Sequence, residues 1–522
     1  MNSSSIYILV FVQLWLLSLP CRESVCIPSE RETLLKFKNN LIDPSNRLWS
    51  WNHNHTNCCH WYGVLCHNVT SHLLQLHLNS SLSDAFYYDY DGYYHFDEEA
   101  YRRWSFGGEI SPCLADLKHL NYLDLSGNVF LREGMSIPSF LGTMTSLTHL
   151  DLSLTGLMGK IPSQIGNLSN LVYLDLGGYS TDLKPPLFAE NLVYLDLSSE
   201  VANGTVPSQI GNLSKLRYLD LSFNRFLGEG MAIPSFLGTM TSLTHLDLSF
   251  TGFRGKIPPQ IGNLSNLVYL DLRYVANGTV PSQIGNLSKL RYLDLSYNDF
   301  EGMAIPSFLC AMTSLTHLDL SLTEFYGKIP PQIGNLSNLV YLDLGGYSGF
   351  EPPLFAENVE WVSSNQLEGN IPTSWDKPML LEFLNLASNN LSGEIPDCWM
   401  NWTSLVDVNL QSNHFVGNLP QSMGSLADLQ SLQIRNNTLS GIFPTSLKKN
   451  NQLISLDLGE NNLSGTIPTW VGENLLNVKI LRLRSNSFAG HIPNEICQMS
   501  HLQVLDLAQN NLSGNIRAVS VT

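Results

Sequence analysis

The stretch Leu405–Asp428, LVDVNLQSNHFVGNLPQSMGSLAD, limits what this chain can fold into more than any other. Leu405, Val408 and Leu410 are apolar at spacings of three and two, which suits a short strand burying alternate side chains. Asn413 follows at a fixed offset, where its amide can hydrogen-bond the open backbone groups of a turn. Phe415, Leu419 and Met423 continue the inward column. Gly417 permits a bend with positive φ, and Pro420 bars a regular helix across that point. A unit of this size cannot bury its apolar face alone; it needs a copy stacked on each side.

The copies are present. Repeat starts fall at Leu381, Leu405, Leu429, Leu453, Val478 and Leu502, about 24 residues apart, within the leucine-rich-repeat range. The same register runs upstream through Leu120, Leu147, Leu171, Leu192, Leu216, Leu243, Leu267, Leu290, Leu315 and Leu339. With a strand at Leu73 this makes roughly seventeen coils. Residues 139–176, 235–272 and 307–344 are near-copies, as are 201–222 and 275–296, so whole coils were duplicated in register. The expected fold is an α/β leucine-rich-repeat solenoid. It is a curved right-handed superhelix with a parallel β-sheet on the concave face and short helical or extended segments outside. Its last coil, with Leu502, Leu505, Leu507 and Leu512 uncovered, is expected to fray.

Hydrophobic content is 43% and charged content 14%, consistent with a filled core. A net charge of −17 argues against a nucleic-acid binder, which needs a basic stripe. An apolar run, Ile6–Leu19, followed by Pro20 and Cys21, reads as a secretory signal, here residues 1–23, and no later stretch is long enough to span a membrane. The first address is therefore the secretory pathway.

Residues 24–71 form an N-terminal cap. Ser29 and Glu32 read as a capping box, with Leu34, Phe37 and Leu41 on one helical face and Trp49, Trp51 and Trp61 covering the first coil. Cys26, Cys58, Cys59 and Cys66 lie among His53, His55, His60 and His67. In a secreted chain disulfides are the better reading than zinc, pairing Cys26 with Cys58 and Cys59 with Cys66. Cys113, Cys310, Cys398 and Cys497 are left unassigned, and Cys398 and Cys497 lie too many coils apart to bridge. Repeats occupy 72–522, with two interruptions. Residues 82–106 are an acidic, tyrosine-rich insertion, read as a solvated loop. Residues 345–380 are an irregular junction whose preceding coil reads several residues short; Glu357 and Glu360 stand there in place of buried apolar residues, and a local kink or disordered patch is expected.

No catalytic spacing is present: there is no HExxH, G-x-S-x-G, Walker loop or dinucleotide turn, so no enzyme, metal or cofactor is expected. Acceptors for N-glycosylation are Asn54, Asn68, Asn79, Asn167, Asn203, Asn212, Asn263, Asn277, Asn286, Asn335, Asn390, Asn401, Asn436, Asn462 and Asn511. Side chains between the buried leucines point outward, and one such column reads Tyr122, His149, Tyr173, Tyr194, Tyr218, His245, Tyr269, Tyr292, His317, Tyr341. Beside it runs an aspartate column that includes Asp124, Asp151, Asp247, Asp294, Asp319 and Asp343. Core packing requires no aromatic at an exposed site, so the column is the candidate ligand-binding surface, replaceable by alanine at little cost in stability.

The cap ERETLLKFKNNLIDPSNRLWSW…NCCHWYGVLC resembles that of plant leucine-rich-repeat proteins, as do the Leu-Ser-Gly-x-Ile-Pro segments at Leu391–Pro396 and Leu463–Pro468. The stretch HFDEEAYRRWSFGGEISPCLADLKHLNYLDLSGN is similar to receptor-like proteins of the fungal-resistance type, especially the apple scab-resistance cluster. The resemblance implies the extracellular ectodomain of a cell-surface immune receptor at the plasma membrane. Its ligand would be a pathogen-derived protein or peptide, and a partner co-receptor kinase would carry the signal. Family members continue into a C-terminal cap, an acidic spacer and a membrane helix, so this chain reads as truncated before that helix. The alternative is a soluble, secreted apoplastic binder, a decoy or an inhibitor of a fungal cell-wall-degrading enzyme.

Overall fold

In the computed structural model the described residues are 25–80, 86–88, 94–96, 98–128, 136–157, 161–178, 182–183, 191–198, 203–204, 206, 208–224, 232–300, 302–346, 365–377 and 379–514. The expected signal segment and the centre of the 345–380 junction, with Glu357 and Glu360, lie outside them. Two units divide the chain, Met1–Leu219 and Asp220–Thr522.

Each unit is a stack of coils. In the first, strands Leu73–His77, Tyr122–Asp124, His149–Asp151, Tyr173–Asp175 and Tyr194–Asp196 pair in parallel, with Gln75, Tyr122, His149, Tyr173 and Tyr194 in register. In the second, a parallel ladder runs from His245–Asp247 through Tyr269–Asp271, Tyr292–Asp294, His317–Asp319, Tyr341–Asp343 and onward to Val504–Asp506. The central apolar residue of the inner strands, such as Leu270, Leu293 and Leu342, is fully buried; each contributes about 1.5–3 kcal/mol relative to exposure.

The return path of a coil is a 3₁₀ turn introduced by proline, as at Ser282–Asn286 and Pro331–Asn335. Proline fixes φ there and gives up an N–H that has no partner at a helix start. Gly262 shows why these turns carry glycine: a Cβ there would lie 2.3 Å from the Gln283 carbonyl oxygen of the next coil. Past the main strands, the chain pairs again in two four-stranded parallel sheets. One contains Tyr326–Lys328, Gln366–Gly369, Asn390–Glu394 and His414–Val416; the other contains Ser440–Ile442, Asn462–Gly465, Ser487–His491 and Asn511–Ser513.

The stretch leading into the junction is not a short coil. Strand Tyr341–Asp343 pairs directly with Phe383–Asn385, and Asn365 Nδ2 donates to the Leu344 carbonyl at 2.9 Å. Strand pairing and this bond place 339–346 and 365–377 in one coil. Buried hydrogen bonding holds the register that the sequence count loses.

The cap departs from expectation in one detail. Its helix, Pro28–Lys38, has Ile27 at the N-cap and Pro28 in the first turn, so Ser29 lies inside the helix and no capping box forms. The proline sets the helix start. Leu34 and Phe37 are buried as expected, whereas Leu41 lies in a two-residue strand. Trp51 and Trp61 are buried and stacked, while Trp49 is exposed. Disulfides join Cys26 to Cys58 and Cys59 to Cys66. The four nearby histidines, His53, His55, His60 and His67, are exposed. Glu30, buried, ties the cap to the first strand by accepting from the Leu73 backbone N–H at 2.8 Å.

The insertion is more ordered than a solvated loop. Phe86–Tyr88 pairs with Tyr94–Phe96, and a helix follows at Glu98–Trp104. Tyr101 and Phe106 are buried, and the Tyr101 hydroxyl donates to the Gly127 carbonyl at 2.8 Å. Arg47 of the cap lies over the Phe106 ring at 4.4 Å and donates to the Trp104 carbonyl. At the other end, Val504 and Leu505 of the last strand of the main ladder are exposed. Among the described residues no helix is long and apolar enough to cross a membrane.

The asparagine after each strand is the seam between coils. Asn413 Oδ1 accepts from Leu391 N at 3.0 Å, and its Nδ2 donates to the carbonyls of Leu386 and Gln411. Replacing it by Ala strands these buried groups and should lower stability by about 1–3 kcal/mol. Chemical denaturation should show this shift for Asn413→Ala and none for the exposed Gln421→Ala.

Candidate functional site

Parallel pairing in register places identical repeat positions side by side, about 4.8 Å apart. The candidate column therefore becomes a ring stack within each unit. In the first unit it runs Tyr122, His149, Tyr173, Tyr194, Tyr218, with centroids 3.9–4.1 Å apart. In the second it runs His245, Tyr269, Tyr292, His317, Tyr341 and continues onto Phe383 at 4.0–4.4 Å. All ten candidates are half-buried. Their faces are covered by one another, and hydroxyls such as those of Tyr269, Tyr292 and Tyr341 turn to the aspartates beside them. Burial lowers His245 and His317 to about pH 4 in their ionisation, so both are neutral imidazoles near pH 7.

The aspartate column lies one step further along each strand. One carboxylate oxygen of each residue is committed to the turn: Asp294 Oδ1 accepts from the Ser296 N–H at 2.9 Å and hydroxyl at 2.7 Å, and Asp319 accepts from Ser321 likewise. The second oxygen faces the tyrosines, as with Tyr292 donating to Asp294 at 3.4 Å. Burial, then neighbouring carboxylates, push Asp175 up to about 7 and Asp247 and Asp294 up to about 8. A single guanidinium enters the column between Asp247 and Asp343 among the described residues. Arg273 Nε lies 2.9 Å from Asp271 Oδ2 and 3.3 Å from Asp294 Oδ2.

A third row escaped the sequence reading. The residue at the turn after each strand adopts positive φ, just before Asn224, Thr251, Val275, Asn298 or Thr323, and in these five successive coils of the second unit it is bulky: Phe223, Phe250, Tyr274, Tyr297 and Leu322, at φ 53–56°. Phe223 stacks on Phe250 at 5.0 Å and Phe250 on Tyr274 at 5.8 Å. All five are at least partly exposed. The signal was present in the strings LSFN, LSFT, LRYV, LSYN and LSLT, but it is visible only once the turn is known to need φ above zero.

Of the other candidates, the cap cysteines are joined as expected. The glycosylation acceptors Asn54, Asn68, Asn79, Asn167, Asn212, Asn263, Asn277, Asn286, Asn335, Asn390, Asn436, Asn462 and Asn511 are exposed, Asn401 is half-buried, and the Asn203 side chain lies outside the description. Asp294, His317 and Asp319 bring one ligand-type atom each within 4.8 Å, but Arg273 already lies against Asp294.

Family profiles match this chain along most of its repeats. The profile described as leucine rich repeat N-terminal domain covers 27–67, and the leucine-rich repeat region profile covers 182–324. The single-repeat profile recurs at 146–168, 314–336, 380–402, 428–450, 452–474 and 477–499. The chain belongs to the leucine-rich-repeat family. Among relatives, it is 35% identical to receptor-like protein EIX2 of Solanum lycopersicum over 27% of this chain and 12% of that protein. It is 34% identical to receptor-like protein 49 of Arabidopsis thaliana over 26% of this chain and 17% of that one. These matches span less than a fifth of the relatives' own length. Among solved structures, this leucine-rich-repeat chain matches a TDR receptor at TM-score 0.68 and 29% identity, over 78% of this chain and 67% of that one. It also matches the Arabidopsis receptor kinase HAESA ectodomain in complex with an IDA peptide hormone, at TM-score 0.64 and 27% identity, over 93% and 82%.

The ring stack changes one expectation. Truncating a tyrosine of this leucine-rich-repeat protein removes two ring contacts, each worth about 0.5–1.5 kcal/mol, so it is not free of stability cost. Tyr269→Ala should lower the unfolding temperature clearly, whereas Tyr269→Phe, which keeps the stack, should lower it far less.

The carboxylate column predicts an inverted pH dependence. A folded carboxyl raised toward 7–8 holds a proton that the unfolded chain releases near pH 4, so stability falls as pH rises through 7–8. The lowered histidines act oppositely, but their contribution is complete above the unfolded value of about 6.5. Scanning calorimetry should show the unfolding temperature dropping between about pH 6.5 and 8.5. Asp294→Asn should flatten that drop; an unchanged slope would remove the column as its source.

Proposed function

We propose that this protein is the extracellular recognition portion of a plant cell-surface immune receptor-like protein. It takes a polypeptide ligand on the strand face of the second unit, between Asp220 and Asp343, and it signals through a partner kinase. One observation carries the reading. In this region three adjacent rows (half-buried aromatic rings, carboxylates and exposed apolar side chains) lie on one face, where folding alone asks only for a polar surface. The acceptors Asn263, Asn277, Asn286 and Asn335 fall on turns and return segments and none on the strands, so glycans there leave the face open. Neighbouring folds support a polypeptide partner: the HAESA ectodomain is in complex with a peptide hormone, as is the plant peptide hormone receptor RGFR1 with RGF2, at 26% identity and TM-score 0.64. Secretion and glycosylation follow from the same reading, and a pathogen-derived ligand is its defence-specific form.

A glycan placed on this face tests it. Ser321→Asn creates an Asn-Leu-Thr acceptor beside Asp319. Peptides selected from a displayed random library on the wild-type chain, produced in a secretory eukaryotic host, should lose binding to this variant. They should regain it after enzymatic deglycosylation, and they should bind Gln209→Ala and Gln283→Ala normally. Selected peptides that ignore the new glycan but are lost on the Gln variants would place the ligand elsewhere.

A further inference from the structure

The row Phe223, Phe250, Tyr274, Tyr297, Leu322 occupies a backbone slot that disfavours such side chains. Positive φ suits glycine and asparagine and is an outlier for bulky residues, costing on the order of 1 kcal/mol each. Further along the same unit the identical slot holds Ser388, Ser412, Asn436, Glu460, Ser485 and Gln509 at φ 52–57°. The turn therefore does not require an aromatic. The apolar choice in five consecutive coils is a property of the surface they make.

Arg273 shows what that surface accepts. Its guanidinium bridges the carboxylates of Asp271 and Asp294. It also lies 5.7 Å from the centre of the Phe250 ring. One cation thus contacts the carboxylate column and the apolar row together. The position that Arg273 occupies in its own coil is Ser249, Ser296, Ser321 and Gly345 in the neighbours, side chains too short to bring a charge. Asp319 and Asp343 keep the same geometry beside Tyr297 and Leu322 without a cation of their own coil. Burial, and then the neighbouring carboxylates of the stack, raise the ionisation of Asp294 and Asp247.

We propose that Phe250, Tyr274, Tyr297 and Leu322, together with Asp294, Asp319 and Asp343, form a docking strip for a basic, extended peptide segment. Arg or Lys side chains of that segment enter the carboxylate column as Arg273 does, and its apolar side chains lie along the row. This specifies the ligand class of the face assigned above and rests on that assignment. Charge complementarity selects the occupant: the chain carries a net −17, which steers a cationic segment toward it. Aromatic faces beside carboxylates hold guanidinium through combined ion pairing and cation–π contact.

Three fluorescent nonapeptides test this by polarisation at about 0.15 M salt, where loose surface attraction is screened: alternating Arg and Leu, its Glu-for-Arg counterpart and its Gly-for-Leu counterpart. The Arg–Leu peptide should bind at least tenfold tighter than either control. Ser296→Arg, which supplies the strip with its own guanidinium one coil beyond Arg273, should weaken it at least tenfold. The triple variant Phe250→Asn, Tyr274→Asn, Tyr297→Asn should weaken it similarly while its unfolding temperature stays level or rises, because asparagine suits the slot. Equal binding of the Glu peptide, indifference to Ser296→Arg, or full affinity in the triple variant would each overturn the proposal. Library-selected peptides that are acidic or neutral yet blocked by the Ser321→Asn glycan would overturn it too, while leaving the recognition face in place.

Discussion

One buried amide per coil holds this structure together. Asn461 accepts from the Leu439 N–H of the preceding coil at 3.1 Å and donates to the carbonyls of Ile434, Leu458 and Gly459 at 2.9–3.2 Å. A short side chain with one acceptor and two donors thereby satisfies backbone groups in two coils at the point where the strand ends. Where threonine takes the place, as at Thr251 and Thr323, the hydroxyl lies 2.7 Å from a carbonyl of its own coil, Leu248 or Leu320. Asn365 then compensates by accepting from both the backbone and the hydroxyl of Thr323. That same amide also joins residue 365 to the strand end at Leu344, so the ladder holds where the repeat spacing does not.

The ladder has two consequences for the surface. It fixes the register of parallel strands, which forces like residues together whether or not they attract. For Tyr and His this is favourable, since flat neutral rings pile face on face. For Asp it is unfavourable, and the protein offsets it locally: one oxygen is held by the backbone two residues on, the other by a tyrosine hydroxyl, and at one coil by Arg273. The second consequence is the sharp turn into each asparagine, which places the preceding residue at positive φ and projects it beside the strand face. Aromatic stack, carboxylate column and apolar row are thus three readings of one geometric constraint.

Much of this was legible in the residues. Strand positions, the buried column of Leu405, Val408 and Leu410, the asparagine at 413, the cap disulfides and the outward tyrosines all follow from a short repeat read in register. What failed did so where two local rules compete. Ser29 and Glu32 fit a capping box, but Pro28 starts the helix earlier. The insertion is rich in acid and tyrosine, yet Tyr101 and Phe106 find a buried place that no local pattern announces. The coil around 345 could not be counted, because continuity there is carried by the pairing of Tyr341 with Phe383 and by Asn365, contacts far apart in the chain. The apolar row was overlooked because Phe250 and Tyr274 read as ordinary turn residues until their φ is known.

The second unit changes its surface chemistry while keeping its skeleton, and that change separates what folding requires from what it does not. Up to Asp343 the column is aspartate and the turn slot is apolar. Beyond it the column reads Asn385, Asn409 and Gln433, and the slot turns polar. Where acids return, the chain supplies its own cations: Arg435 pairs with Glu460 at 2.6 Å, Arg482 lies 3.5 Å from Asp457, and Arg484 lies 3.8 Å from Asp506. Both halves bury the same leucines, form the same strand pairs and close the same amide ladder. The later coils show that the solenoid can be built with its surface charges matched internally and with easy residues in its strained turns. The coils from 220 to 343 set Arg273 against the carboxylates of Asp271 and Asp294 and place phenylalanine and tyrosine where the backbone resists them. Those coils therefore differ from the later ones in the charge of the column and in the residue of the turn slot, and the skeleton that both share accounts for neither difference.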